Sequence, residues 1–143
     1  MTPHRFACKI YYEDTDLQGI VYYANYLKFI ERARTDALTA NGIDQSVLLE
    51  EAGLMFVVRR VEADYLSPAR FGDILEITTE TAQVGAASLV MLQNVTRDSN
   101  RLFHAKVSVA VVSRNGRPSR MPAALREVLS GGSKGSGATS VPV

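Results

Sequence analysis

Residues 11 to 26 read YYEDTDLQGIVYYANY, and they hold the chain's best equipment for chemistry. Glu13, Asp14 and Asp16 crowd together, Gly19 follows, and a helical pattern opens directly afterwards. The first N–H groups of a helix have no intrahelical partner and can hold a developing oxyanion. A carboxylate beside them can attack a carbonyl or take a proton, which is what opening an acyl bond requires. In an extended strand Asp14 and Asp16 project to one side and Glu13 to the other. Burial would raise such a carboxyl's pKa and the helix end would lower it. The plainer reading of these acids is a turn or a helix cap. Gly19 either lets the backbone approach a ligand closely or is an ordinary loop glycine. Tyr22, Tyr23 and Tyr26 form an aromatic cluster, with Tyr26 on the apolar stripe of the helix. Asn25 reads more readily as a capping or surface residue than as one that orients water or a substrate amide.

Other chemistries find little support. His4 lies near a terminus expected to fray, and His104 lies on a strand face opposite Phe103 and Ala105. Neither belongs to a Ser–His–Asp or Cys–His arrangement. With Cys8 and two histidines as the only soft ligands, a Cys/His zinc site is not expected. No Gly-rich phosphate-binding signature is present. Arg59, Arg60, Arg97, Arg101, Lys106, Arg114, Arg117 and Arg120 read as a solvated distribution at strand ends and turns. The functional alternative is that some of them hold the phosphates of an anionic carrier.

Several elements must position the acidic run. Residues 5 to 12 suit a strand, and residues 22 to about 41 a helix stopped by Asn41-Gly42. Its apolar stripe is Tyr26, Phe29, Ile30, Ala33, Ala37 and Leu38. Residues 48 to 52 suit a further helical turn. Residues 56 to 66 alternate, with Val57, Val61, Ala63 and Tyr65 on one side and Arg60, Glu62 and Asp64 on the other. Arg59 interrupts the apolar side, so one end of that face is expected to reach solvent or an anion. Strands are expected at 74–83, 87–96 and 102–113, with a hairpin turn at Asp98-Ser99-Asn100, and a short helix at 122–129. The order is a strand, a long helix, then four strands in antiparallel succession. This predicts an α+β fold, an antiparallel sheet wrapped around a central helix. The far sheet face would also need cover, which self-association would supply.

The 143-residue length suits one domain over residues 1–130, followed by a flexible Gly/Ser-rich tail at 131–143. A net charge of +1 predicts no strong attraction to nucleic acid or an anionic membrane surface. No apolar run is long enough for a transmembrane helix, and the N-terminal residues do not form a signal peptide. The lone Cys8 fits a reducing, cytoplasmic setting.

The run YYEDTDLQGIVYYANYLKFIERART contains D-x-D-x-x-G-[IV]-V followed by an aromatic pair. With VVRRVEADYLSPARFGDILEI and, near the end, GRPSRMPAAL, it resembles the 4-hydroxybenzoyl-CoA thioesterase-like family of hotdog-fold proteins. The likeness is closest to that family's Tol-Pal-associated acyl-CoA thioesterase branch, and it covers nearly the whole chain except the tail. The resemblance implies a hotdog fold and a homodimer or homotetramer with active sites at the subunit interface. It implies hydrolysis of an acyl-CoA to free acid and CoA, with CoA as part of the substrate and no separate cofactor or metal. The catalytic carboxylate of the family falls on Asp16, its glycine on Gly19, and the backbone N–H that polarises the thioester carbonyl on Tyr23. This branch often carries histidine where this chain has Tyr23, so the backbone donor is kept and any histidine side-chain role is lost. Asp14 and Glu13 then take supporting or solvated roles. The alternative function is a hotdog protein that binds acyl-CoA, or acts as an envelope-associated adaptor, without turnover. A hotdog dehydratase or hydratase ranks last, because residues 19 to 40 contain no histidine base.

Overall fold

The computed structural model describes residues 3–131, so the expected tail lies, past Gly131, outside the described residues. The chain forms β1 (His4–Lys9), a 3-10 turn (Tyr12–Asp14) and the long helix α1 (Asn25–Ala40). Next come α2 (Gln45–Val47), running on into a π-helical turn (Leu48–Ala52), and the strands β2 (Leu54–Tyr65) and β3 (Ile74–Val84). β4 (Ser88–Arg97), β5 (Asn100–Ser113) and α3 (Ala123–Leu129) complete the order.

The five strands make one antiparallel sheet in the order β1-β3-β4-β5-β2. The expectation of four strands in succession is therefore corrected. Only β3, β4 and β5 follow one another, while β1 and β2 occupy opposite edges. The β4–β5 turn is tight: Arg97 pairs with Asn100, leaving Asp98 (φ 51) and Ser99 (φ 71) in the left-handed region. That geometry matches the twist of two-residue hairpins.

Every residue expected on the apolar stripe of α1 is buried. Tyr26, Phe29, Ile30, Ala33 and Leu38 of the stripe pack with Leu75, Ile77, Met91, Val95, Phe103 and Val107 of the sheet in one core. Each large apolar side chain so buried contributes on the order of 1.5–3 kcal/mol. α1 lies over β1 and β3, so the helix-facing side of β2, at the far edge, stays open. Val58 and Val61 there are 42% and 37% exposed. The outer sheet face is more polar than expected, with Thr78, Glu80, Asn94, Thr96, Lys106 and Ser108 along it.

A bulge in β2 also changes its faces. Val58 pairs with Val109 and Arg60 with Ser108, so Arg59 is the extra residue. Because opposed residues share a face, Phe56 and Val58 lie with Val61, Ala63 and Tyr65 on the helix side. Val57, expected with them, faces the other way opposite Ala110. The bulge thus removes Arg59 from the inner row without breaking that row. Residues 11 and 12 are not strand, because β1 ends at Lys9. His4 is not frayed either: it sits in β1 with Nε2 2.6 Å from Oδ2 of Asp36 on α1.

Candidate active site

The acidic run does not continue β1 as a strand, so Asp14 and Asp16 are not paired on one strand face. After the 3-10 turn the chain makes a small hairpin. The Tyr22 N–H donates to the Asp14 carbonyl at 2.9 Å, and the Asp16 N–H donates to the Ile20 carbonyl at 3.0 Å. Between them the Gly19 N–H donates to the Asp16 carbonyl at 3.0 Å, closing a four-residue turn. Gly19 has φ +78 with open space where a Cβ would lie, so the turn geometry alone favours glycine here.

The three acids separate by environment. Glu13 is exposed, as expected. Asp14 is only 8% exposed. Its Oδ2 accepts the Tyr11 N–H at 2.9 Å and its Oδ1 accepts the Asn25 side-chain amide at 3.0 Å. It therefore staples the 3-10 turn to the first residue of α1, and a buried carboxylate satisfied on both oxygens is a structural anchor. Asp16 is exposed; its Oδ1 accepts the Gln18 N–H at 2.9 Å. Its Oδ2 has no partner among the described residues, leaving one oxygen free to react.

α1 starts at Asn25, later than the expected residue 22, because Tyr22 to Ala24 are drawn into the hairpin and a turn. No side chain caps the helix. The Asn25 N–H donates to the Tyr22 carbonyl at 2.8 Å and the Leu27 N–H to the Ala24 carbonyl at 3.1 Å. The Tyr23 and Ala24 N–H groups find no acceptor among the described residues. They are the orphan donors that a helix start offers an anion. The Tyr23 side chain is 63% exposed.

Beside these groups lies a cavity of about 290 Å³ lined by Ile20, Val21, Tyr23, Tyr26, Tyr65, Leu66, Ser67 and Pro68. The gap between α1 and β2 forms it. Tyr26 stacks on Phe103 at 4.9 Å, and the Tyr65 ring lies 5.0 Å from Phe103, 5.5 Å from Tyr26 and 6.0 Å from Tyr23. The Tyr26 hydroxyl accepts the Ala69 N–H at 3.2 Å, and the Val21 N–H donates to the Ala69 carbonyl at 2.8 Å. The hairpin is thereby tied to the loop after β2. Burial pushes the Tyr26 and Tyr65 phenols above their ordinary range, so both stay protonated near neutral pH.

Farther along α1 a second cavity, of about 140 Å³, is lined by Glu31, Arg34, Leu38, Phe56 and Val58, among others. Arg34 donates to the Oε1 of the fully buried Gln93 at 3.0 Å. The Gln93 amide donates to the Ile30 carbonyl at 2.8 Å and to the Thr79 hydroxyl at 2.9 Å. Burial pushes the Arg34 guanidinium down from its ordinary range. Among the described residues no group of His, Cys, Asp and Glu side chains is arranged to hold a metal.

Asp16, Gly19 and Tyr23 are thus brought into one hairpin and helix start. Sequence reading missed the staple between Asp14 and Asn25 and the hydrogen bond that the Tyr65 hydroxyl donates to the Tyr23 carbonyl. Partners eleven and forty-two residues away leave no local signal. The only hint at Tyr65 was a tyrosine just before the Ser67-Pro68 strand end.

Comparison with known proteins identifies the family of the chain. The thioesterase superfamily matches residues 18–104, which begins just past Asp16. The chain is 43% identical over 107 residues to the acyl-CoA thioesterase YbgC of Haemophilus influenzae, covering 75% of this chain and 79% of that protein. It is 35% identical over 133 residues to the acyl-CoA thioesterase YbgC of Helicobacter pylori, covering 86% and 97%. A solved probable thioesterase from Bartonella henselae superposes with a TM-score of 0.80 at 34% identity, covering 85% of this chain and 100% of that one. An Asp-to-Asn mutant of 4-hydroxybenzoyl-CoA thioesterase, complexed with 4-hydroxybenzoyl-CoA, superposes with a TM-score of 0.85 at 20% identity, covering 90% and 99%. That last likeness is one of fold, the hotdog fold.

Proposed function

The chain belongs to the thioesterase superfamily, and from that premise we propose that it hydrolyses acyl-CoA thioesters at the turn between Asp16 and the start of α1. One observation carries this reading. The hairpin that leaves the Asp16 Oδ2 free also leads directly to the unpaired N–H of Tyr23, beside a largely apolar cavity.

The thioester carbonyl oxygen lies against the Tyr23 N–H, aided by the positive end of the α1 dipole. As the carbonyl carbon becomes tetrahedral, its oxygen gains charge, and a well-placed donor there contributes roughly 3 kcal/mol. Asp16 acts in one of two ways. As nucleophile it forms a mixed anhydride, CoA thiolate leaves, and water then cleaves the anhydride to acid and free carboxylate. As general base it takes a proton from the attacking water. Either route balances as thioester plus water giving carboxylic acid and CoA thiol. The thiolate is a good leaving group, so the proposed reaction needs no metal or further cofactor. CoA enters only as part of the substrate. Gly19 serves by closing the turn. A second copy of the chain against the open inner face of β2 would cover the exposed Val58, Val61 and Tyr65, which supports a homo-oligomer.

The test is thiol release from a panel of short-chain, long-chain and aromatic CoA esters. Asp16→Asn should lose turnover by on the order of 10³-fold or more on every ester the wild type cleaves, with the fold intact. Near-normal turnover by Asp16→Asn would refute the mechanism. Ester binding by the wild type with no thiol release across the panel would favour the non-catalytic binding alternative. A single turnover in heavy-oxygen water identifies the anhydride route by an unlabelled first product with the label left on Asp16, the outcome when water opens the anhydride at the Asp16 carbonyl.

A further inference from the structure

We propose that Tyr65 is a positioning residue for the oxyanion site, its hydroxyl holding the Tyr23–Ala24 peptide and so aiming the unpaired Ala24 N–H alongside that of Tyr23. The inference rests on the reading of Asp16 and Tyr23 given above.

The Tyr65 hydroxyl donates to the Tyr23 carbonyl at 3.0 Å, across forty-two residues of sequence. The Tyr23 N–H belongs to the peptide plane on one side of the Tyr23 Cα, and this carbonyl to the plane on the other, which also carries the unpaired Ala24 N–H. The first plane is held within the helix start, where the Tyr22 carbonyl accepts the Asn25 N–H at 2.8 Å. The second has no such hold. In a regular helix the Tyr23 carbonyl would accept from Leu27, but the Leu27 N–H donates instead to Ala24. No backbone N–H among the described residues reaches the Tyr23 oxygen, and the Tyr65 hydroxyl takes that place. Without it, the Tyr23–Ala24 peptide is free to turn and swing the Ala24 N–H away from the reacting carbonyl.

The geometry of Tyr65 is set in advance. Its ring lies against Tyr23, Tyr26 and Phe103, and Tyr26 and Phe103 are both buried. The hydroxyl therefore arrives at the Tyr23 carbonyl from a fixed platform rather than from a mobile chain. Because oxyanion stabilisation depends on pre-set donors, a small loss of alignment registers in the rate more than in substrate affinity. The same ring also walls the cavity at the end of the acidic hairpin.

Tyr65→Phe keeps the ring and deletes only the hydroxyl, and Tyr65→Leu deletes both. Wild type, both variants and Asp16→Asn are compared on one CoA ester that the wild type cleaves, by thiol release and by thermal unfolding. Tyr65→Phe is expected to unfold within about 2 °C of wild type. Its KM should stay within about twofold and its kcat fall about tenfold, less than the ~100-fold that a 1 Å misplacement can cost. Tyr65→Leu should lose thermal stability as well as rate. A wild-type kcat for Tyr65→Phe would overturn the proposal, and so would a change confined to KM, which would make Tyr65 a wall of the site only. If Asp16→Asn is inactive while Tyr65→Phe matches wild type, this inference falls and the thioesterase mechanism stands. If Asp16→Asn keeps its turnover, the mechanism falls first and this inference with it.

Discussion

Replacing Asp14 separates anchor from reactant more sharply than any other single change. Its two oxygens accept one backbone N–H and one side-chain amide, both at normal hydrogen-bond length, from an 8% exposed position. Hydrogen bonds to a charged group contribute about 1.5–3 kcal/mol each. Asp14→Ala removes both and leaves two donors to find water at a partly buried seam, so the expected loss is about 3 kcal/mol. For a chain of this size that lowers Tm by about 10 °C. Asp14→Asn should cost less, about 1.5 kcal/mol. Its oxygen still accepts from Tyr11, and a flipped Asn25 amide can accept from its nitrogen. Asn25→Ala should cost about 1 kcal/mol, and the Asp14→Ala/Asn25→Ala pair should be less than additive, because both delete the same bond. The contrast is Asp16→Asn. An asparagine there can still accept the Gln18 N–H, so stability should change by no more than about 0.5 kcal/mol while turnover collapses. Denaturant unfolding and thiol release, measured on the same preparations, read both properties. If Asp14→Asn were as stable as wild type yet inactive, and Asp16→Asn kept its turnover, the two acids would have exchanged roles and the argument from burial would be wrong.

Two other predictions follow from charged groups away from the hairpin. Burial alone pushes the Asp73 carboxyl up, but the Arg70 N–H at 2.8 Å and the Arg97 guanidinium at 2.7 Å pull it net below its ordinary value. A depressed folded pKa contributes stability that is present above the unfolded value, near 3.9, and lost as pH falls through the folded one. Arg97→Gln should therefore destabilise the protein at neutral pH, with the gap to wild type closing as pH drops below about 4 in denaturant titrations; a gap that is constant with pH would refute the pairing. In the core, Gln93→Leu strips the acceptor from the partly buried Arg34 and two donors from Ile30 and Thr79, and should cost about 3 kcal/mol. Adding Arg34→Met to Gln93→Leu should recover part of that loss, because no buried cation is then left unpaired; a double variant less stable than Gln93→Leu would contradict this.

Much of the fold was legible because its signals are local. The stripe from Tyr26 to Leu38 carries its own helical period, and Asp98-Ser99-Asn100 announces its hairpin through residue type. The hidden parts depend on distant pairing. A strict alternation put Val57 with Val61, and only the register against β5 reveals the bulge at Arg59 that separates them. The placement of β2 at the far edge, beside β5 rather than β3, is likewise set by long-range ladders that leave no mark in its own residues.

At the candidate site the division is similar. By itself the sequence determined that three acids, a glycine and a helix start stand together, since all fall within residues 13 to 25 and residue chemistry and spacing suffice. Residue types and spacing did not sort the acids, and only the family resemblance favoured Asp16, because burial is a property of the packed chain. Tertiary structure did, by drawing Asp14 under the hairpin onto Asn25 and leaving an oxygen of Asp16 open. It also brought Tyr65 from the end of β2 to the Tyr23 carbonyl. A hydrogen bond needs its partners within about 3 Å, and over forty-two residues only the folded sheet and helix can set that distance.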